Sequence, residues 1–109
     1  MKLITFHGTS KADLRSFPSA AMREAGFQLE SIQRGEEPAD WKPMPSIGMG
    51  VREIRIKDDT GAYRVIYVAK FSDAVHVLHC FKKKTQKTSK ADIDLAKDRL
   101  SHLVKGLRK

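Results

Sequence analysis

Apolar positions recur along this chain with two different periods, and the switches between them divide it into elements. Lys2 to Phe6 (KLITF) reads as a short strand. Ser10 opens an S-x-x-D pattern with Asp13, a helix-start signal, and Leu14 and Phe17 lie three apart on one helical face. Pro18 ends that helix, because proline disfavours helical geometry in the residue before it, yet it suits the first turn of the next. Met22, Ala25, Leu29 and Ile32 then repeat at helical spacing up to Gly35, so residues 10–34 predict a helical hairpin with one apolar stripe.

Residues 36–50 carry Pro38, Pro43, Pro45, Gly48 and Gly50, which predicts a loop. Trp41 is expected to pin that loop to the core; its alternative use is as a base-stacking ring. Alternation returns with Val51–Lys57 (VREIRIK), Ala62–Phe71 (AYRVIYVAKF) and Val75–Lys82 (VHVLHCFK), separated by turns at Asp58–Gly61 and Ser72–Ala74. Ser89-x-x-Asp92 is a second capping signal, and Ile93, Ala96, Leu100, Leu103 and Leu107 carry a final helix. The order β-α-α-β-β-β-α predicts an α+β fold in one domain over residues 1–109, with the helices packed on an antiparallel sheet.

Turn lengths set the registers. Pairing Lys57 with Ala62 puts Arg55 opposite Arg64, and pairing Phe71 with Val75 puts Arg64 opposite Lys82. One face then collects Ile54, Ile56, Tyr63, Val65, Tyr67, Phe71, Val75, Val77 and Phe81 as a core. The other collects Glu53, Arg55, Arg64, Lys70 and Lys82, with Ile66, Val68, Leu78 and Cys80 between them. Directly opposed like charges destabilise a sheet, and an anion on that face would offset the cost. Glu53, diagonal to Arg64, is an alternative partner for it.

Charge makes the row more telling. Lys and Arg number 21 against 13 Asp and Glu, a formal net charge of +8, which favours a polyanionic partner such as nucleic acid or the ribosome over an acidic protein. Lys83, Lys84 and Lys87 extend the field in FKKKTQKT. The single cysteine, Cys80, cannot form an internal disulfide, which fits a reducing cytoplasm, and it is expected to be half-buried filler. The opening segment is too short in apolar residues for a signal peptide, no stretch reaches membrane-spanning length, and no metal-type cysteine spacing occurs.

RNA carries its own nucleophile, the 2′-hydroxyl, so a protein can cut it by holding the phosphate and moving two protons. Arg55 and Arg64 offer guanidinium forks for phosphate oxygens. Lys82 or Lys84, with an ammonium made more acidic by neighbouring cations, is a candidate general base. His76 and His79, three apart on a strand, are expected on opposite faces, a poor metal spacing, with His79 packed in the core. His7 and His102 lie outside the three-strand meander. No metal or organic cofactor is called for.

The segment Gly50–Arg55 resembles the E-x-R strand of RelE/HigB-like toxins, and Tyr63–Tyr67 resembles their Y-R-x-x-Y strand. Phe81–Thr88 with Ile93–Arg99 is similar to the F-x-K-K-T-x-K-T…A-x-x-R end of the phage-derived HigB-like branch. The likeness covers about residues 1–105. It implies a type II toxin that cleaves mRNA in the ribosomal A site and is held by a cognate helix-turn-helix antitoxin. It implies that Arg64 stabilises the transition-state phosphate and that Arg55 and Lys82–Lys84 form a basic groove. Lys83, Lys87, Lys70 and Arg52 are expected to contact RNA. The best-known RelE-type members end with an aromatic acid/base residue; this tail ends Leu107-Arg108-Lys109. Two other readings are a ParE-like gyrase-poisoning toxin and a non-catalytic, phage-derived nucleic-acid-binding protein.

Overall fold

Burial along the central strands shows how the helices are shared out. Strand β4 (Gly61–Val68) is buried at six consecutive positions, so both of its faces are covered. In the computed structural model, which describes residues 1–107, the elements are β1 (Leu3–Phe6), α1 (Ser10–Arg15), α2 (Ser19–Gln33), β2 (Trp41–Pro43), β3 (Val51–Asp58), β4, β5 (Ala74–Lys82) and α3 (Lys90–Leu107). They form a single five-stranded sheet in the order β1-β5-β4-β3-β2, antiparallel throughout except that β1 runs parallel to β5. The fold is α+β as expected, but the sheet is mixed and has one strand more than expected.

The helical hairpin covers one face. Leu14, Phe17, Ala25, Leu29 and Ile32 pack there against Ile54, Ile56, Val65 and Tyr67. On the other face Ala96 and Leu103 of α3 close over Val51, Ile66, Val68 and Leu78. Apolar residues interleaved with cations on that second face are therefore a second core, and the cations sit at its end.

Local signals at two helix starts had opposite outcomes. Ser89 Oγ donates to Asp92 Oδ2 at 2.7 Å and accepts from the Asp92 amide at 3.2 Å, so the capping pattern of α3 operates as expected. At α1 the N-cap is Thr9, not Ser10: Thr9 donates to Asp13 at 2.8 Å, while Ser10 is buried and bonds to the Val77 carbonyl of β5. Burial against β5 took Ser10 out of the capping role. Gly35, at φ 86°, terminates α2 where the sequence places the stop.

The first hairpin has the expected register, with Lys57 opposite Ala62 and Arg55 opposite Arg64. The second does not. Strand β4 ends at Val68 rather than Phe71, and its pairing with β5 shifts between Ile66 and Tyr67, leaving Leu78 as an extra residue. Beyond that bulge Arg64 faces Phe81, and Lys82 faces Tyr63. One inserted residue flips every side chain after it. Cys80 thus joins the hairpin-side core and Phe81 the α3 side. His76 and His79 are opposite Val68 and Ile66, so they share a face instead of opposing each other.

Trp41 also departs from expectation. It is half-buried on the edge strand β2, opposite Ile54, and the Arg52 guanidinium lies 4.0 Å above its ring. Pairing with β3 outweighs the proline-rich composition for three residues. Arg108 and Lys109, the basic end noted in the sequence, lie outside the described residues.

Candidate functional site: a cationic face around Glu53

The chemistry of the α3-side face begins with a buried acid. Glu53 is completely buried on β3, and Arg64, its diagonal neighbour on β4, is 4% exposed. Their nearest atoms, Arg64 Nε and Glu53 Oε1, are 3.5 Å apart. This is an ion pair without a hydrogen bond, and both atoms lack a hydrogen-bond partner. Arg64 Nη1 donates to its neighbour's carbonyl, Tyr63 O, at 3.0 Å, so its fork is only partly spent. Burial, the largest influence, and then Arg55 lower the Arg64 pKa, while Glu53 opposes them.

Other cations gather around this pair. Lys42 of β2 is opposite Glu53, with Nζ 3.9 Å from Oε1. Arg55 is opposite Arg64 and is held by Asp40 through Nε at 3.1 Å and Nη2 at 3.0 Å. Lys83 completes the group. Burial lowers its ammonium pKa most, followed by the charge of Arg64, with Lys42 and Arg55 adding to the effect. Four cations thus stand around one buried carboxylate, and Asp40 at the rim offsets part of the excess.

The lysine-rich segment is strapped across this face. After β5, residues 83–89 turn back toward β3, where buried Thr88 donates to Glu53 Oε2 at 2.6 Å. Thr88 therefore fixes the carboxylate that balances Arg64. Neither Thr88 nor Lys42 stood out in the sequence reading. The diagonal placement of Glu53 and Arg64 was its one available hint.

The expected row of Arg55, Arg64 and Lys82 is corrected: the bulge at Leu78 puts Phe81 opposite Arg64 and turns Lys82 to the hairpin side, 5.9 Å from the Tyr63 ring centroid, so the lysine that joins the arginines is Lys83, just past the end of β5. Lys82, Lys83, Lys84 and Lys87 all line one open cleft of about 750 Å³. Arg52 and Lys70 do not join the cluster. Arg52 projects to the hairpin side, bound to Glu37 at 2.6 Å, and shares with Lys70 a separate cavity of about 280 Å³.

The remaining candidates are structural. Burial pushes the Cys80 thiol up to about 12, which makes it fully buried filler and a poor nucleophile. Arg99 donates to Leu78 O at 2.8 Å and to Thr9 Oγ1 at 3.0 Å, tethering α3 to the sheet. Gly8, at φ 57°, permits that tether, since a Cβ there would collide with the Arg99 guanidinium. Among the described residues, no three His, Cys, Asp or Glu side chains converge as a metal-binding set.

A chain of three side chains went unseen in the sequence. His7 Nε2 and His76 Nδ1 are 2.9 Å apart, and His76 Nε2 lies 3.1 Å from Asp73. Burial chiefly, then His76 and Arg99, lower the His7 pKa below its ordinary 6.5, against a smaller pull from Asp73. The folded protein thus binds fewer protons than the unfolded chain between that lowered value and 6.5, and stability falls as pH drops through this window. Urea midpoints should decline between roughly pH 7 and roughly pH 5, above the carboxylate range, and His7→Gln should flatten the decline. An unchanged slope in His7→Gln would place the titrating group elsewhere.

This cationic face, with the lysine segment folded over it, coincides with the strands and loop that carry the sequence motifs. The family described as "Phage derived protein Gp49-like (DUF891)" matches residues 12–101, from within α1 to within α3.

The chain belongs to the Gp49-like family.

That family is a type II toxin family of the RelE/HigB kind. No curated protein matches the chain. The Gp49-like match encompasses Lys42, Glu53, Arg55, Arg64, Lys83 and Thr88, so the whole cluster lies inside the family domain. No helix among the described residues is long and apolar enough to cross a membrane.

Proposed function

We propose that this chain is the toxin of a type II toxin–antitoxin pair and a metal-independent endoribonuclease that cuts mRNA on the ribosome. The observation that carries the reading is the group Lys42, Arg55, Arg64 and Lys83 on one sheet face with, among the described residues, a single buried carboxylate between them. Such a face is short of negative charge, and a phosphate supplies it.

The attacking 2′-oxygen gives up its proton and bonds to phosphorus, the P–O5′ bond breaks, and the 5′-oxygen takes a proton. The products are a 2′,3′-cyclic phosphate and a 5′-hydroxyl. Arg64 and Arg55 bind the phosphate oxygens as charge develops. Lys83 is better placed than Lys82 or Lys84 to accept the 2′ proton, because it stands beside Arg64 and its ammonium is made more acidic there. Ribosomal alignment of the message supplies much of the orientation. A helix-turn-helix antitoxin is the proposed protein partner and the cytoplasm the proposed location.

A cell-free translation reaction on one defined message, with cuts mapped by primer extension and a parallel reaction lacking ribosomes, tests this. Cuts that require ribosomes are expected. An intact message in the presence of folded protein would overturn the reading and turn attention to gyrase poisoning.

A further inference from the structure

The cleft at the free edge of β5 has features that phosphate binding alone does not require. Strand β1 covers β5 only from Ala74 to Val77, so the edge from Leu78 to Lys82 has no strand partner on that side among the described residues. Between this edge, the end of α1 and the lysine segment lies the space of about 750 Å³, within the usual range for small-ligand sites. Aromatic rings contribute to its walls. Phe17 and Tyr63 meet with centroids 4.8 Å apart, and His79 stacks on Phe81 at 4.8 Å and 21°.

His79 is 6% exposed. Its Nε2 lies 2.7 Å from Asp92, while Nδ1 has no partner. A buried ring nitrogen without a partner is unusual and leaves a polar group unsatisfied in a residue that lines the cleft. Lys83 and Phe81 both line this cleft; Phe81 is opposite Arg64 on β4, and the Lys83 amide bonds to Ala62 O two residues before Arg64, so the cleft adjoins the Arg64 cluster.

We propose that the cleft is a nucleotide subsite, taking one unstacked nucleotide of single-stranded RNA next to the phosphate held by Arg55, Arg64 and Lys83. This rests on the nuclease reading and adds where the neighbouring base goes. Unstacked bases are held by apolar surface with cations at the rim; here the partly exposed Phe81, stacked on buried His79, offers the ring, and Lys82, Lys84 and Lys87 the rim. The carboxylates of Asp13 and Asp92 also line the cleft; they repel an acidic peptide but accept hydrogen bonds from base amino groups.

Ser16 gives a clean probe. It is exposed at the end of α1 and lines the cleft, so Ser16→Trp fills the space without disturbing the core. The full chain is titrated, followed by amide NMR, with a short single-stranded oligoribonucleotide and, separately, with an oligoglutamate peptide. RNA is expected to shift the amides of Ser16, His79, Lys84 and Ser89, and Ser16→Trp to weaken it roughly tenfold or more, as loss of one stacked base would. Equal RNA affinity in Ser16→Trp, or tighter binding of the peptide at the same amides, would overturn the proposal. In the translation assay, cuts that vanish with Arg64 substitution but keep their positions and rates in Ser16→Trp would sink the subsite and leave the nuclease reading standing. RNA binding in the cleft with no cutting by any variant would do the reverse.

Discussion

Arg64→Ala should lower message cleavage by roughly 100-fold or more, the usual effect of removing one preorganised donor from a developing charge. The variant needs a companion, because Arg64 is buried beside Glu53. Taking away one partner of a buried pair costs about 3–5 kcal/mol, so Arg64→Ala risks losing activity by unfolding. Arg64→Lys keeps a cation near Glu53 but loses the planar fork. It should remain folded by circular dichroism and still cut at least about tenfold more slowly. Wild-type cutting rates in folded Arg64→Lys would remove the guanidinium from the chemistry. Unchanged growth arrest in a cell in which Arg64→Lys cuts no message would point instead to a protein target.

The second large effect is on stability. Glu53→Ala removes the one carboxylate that, among the described residues, is buried beside Arg64, Lys42 and Lys83, and leaves Thr88 without its acceptor. A cost of about 3–5 kcal/mol is expected from the uncompensated Arg64 charge. At this chain length that corresponds to a fall in Tm on the order of 10–20 °C by thermal denaturation. Phosphate should restore part of the lost stability, because an anion that binds only the folded state raises its melting point. A Tm within a few degrees of wild type would mean that Arg64 is solvated in the native ensemble and that the pair contributes little.

Both effects centre on residues whose relationship was partly readable beforehand. Lys57 opposite Ala62 follows from a four-residue turn ending in Gly61, and that register fixes Arg55 opposite Arg64 and Glu53 diagonal to it. Strong periodicity likewise marked α2 and α3, whose apolar stripes each face a different side of the sheet. The bulge at Leu78 had no such marker. Val77 and Leu78 are both apolar and no glycine flags the irregularity, so simple alternation places Lys82 opposite Arg64, where Phe81 stands. Strand β2 was hidden because three residues ending in proline are too short to show a period. His7 with His76, and Glu53 with Thr88, meet across separations of 69 and 35 residues, for which local pattern carries no signal. His79 was rightly expected to be buried, but its bond to Asp92 depends on how α3 docks.

The clasp of Thr88 on Glu53 also has a meaning in time. A ribosome makes Glu53 and Arg64 well before Thr88, and it makes α3 after them all. A nascent chain released only as far as β5 therefore carries the two arginines on a sheet face with neither strap nor covering helix. Domains fold as units once their parts have emerged. The cationic face thus takes its final form only when α3 has left the exit tunnel and docked, so its charge is arranged late in synthesis.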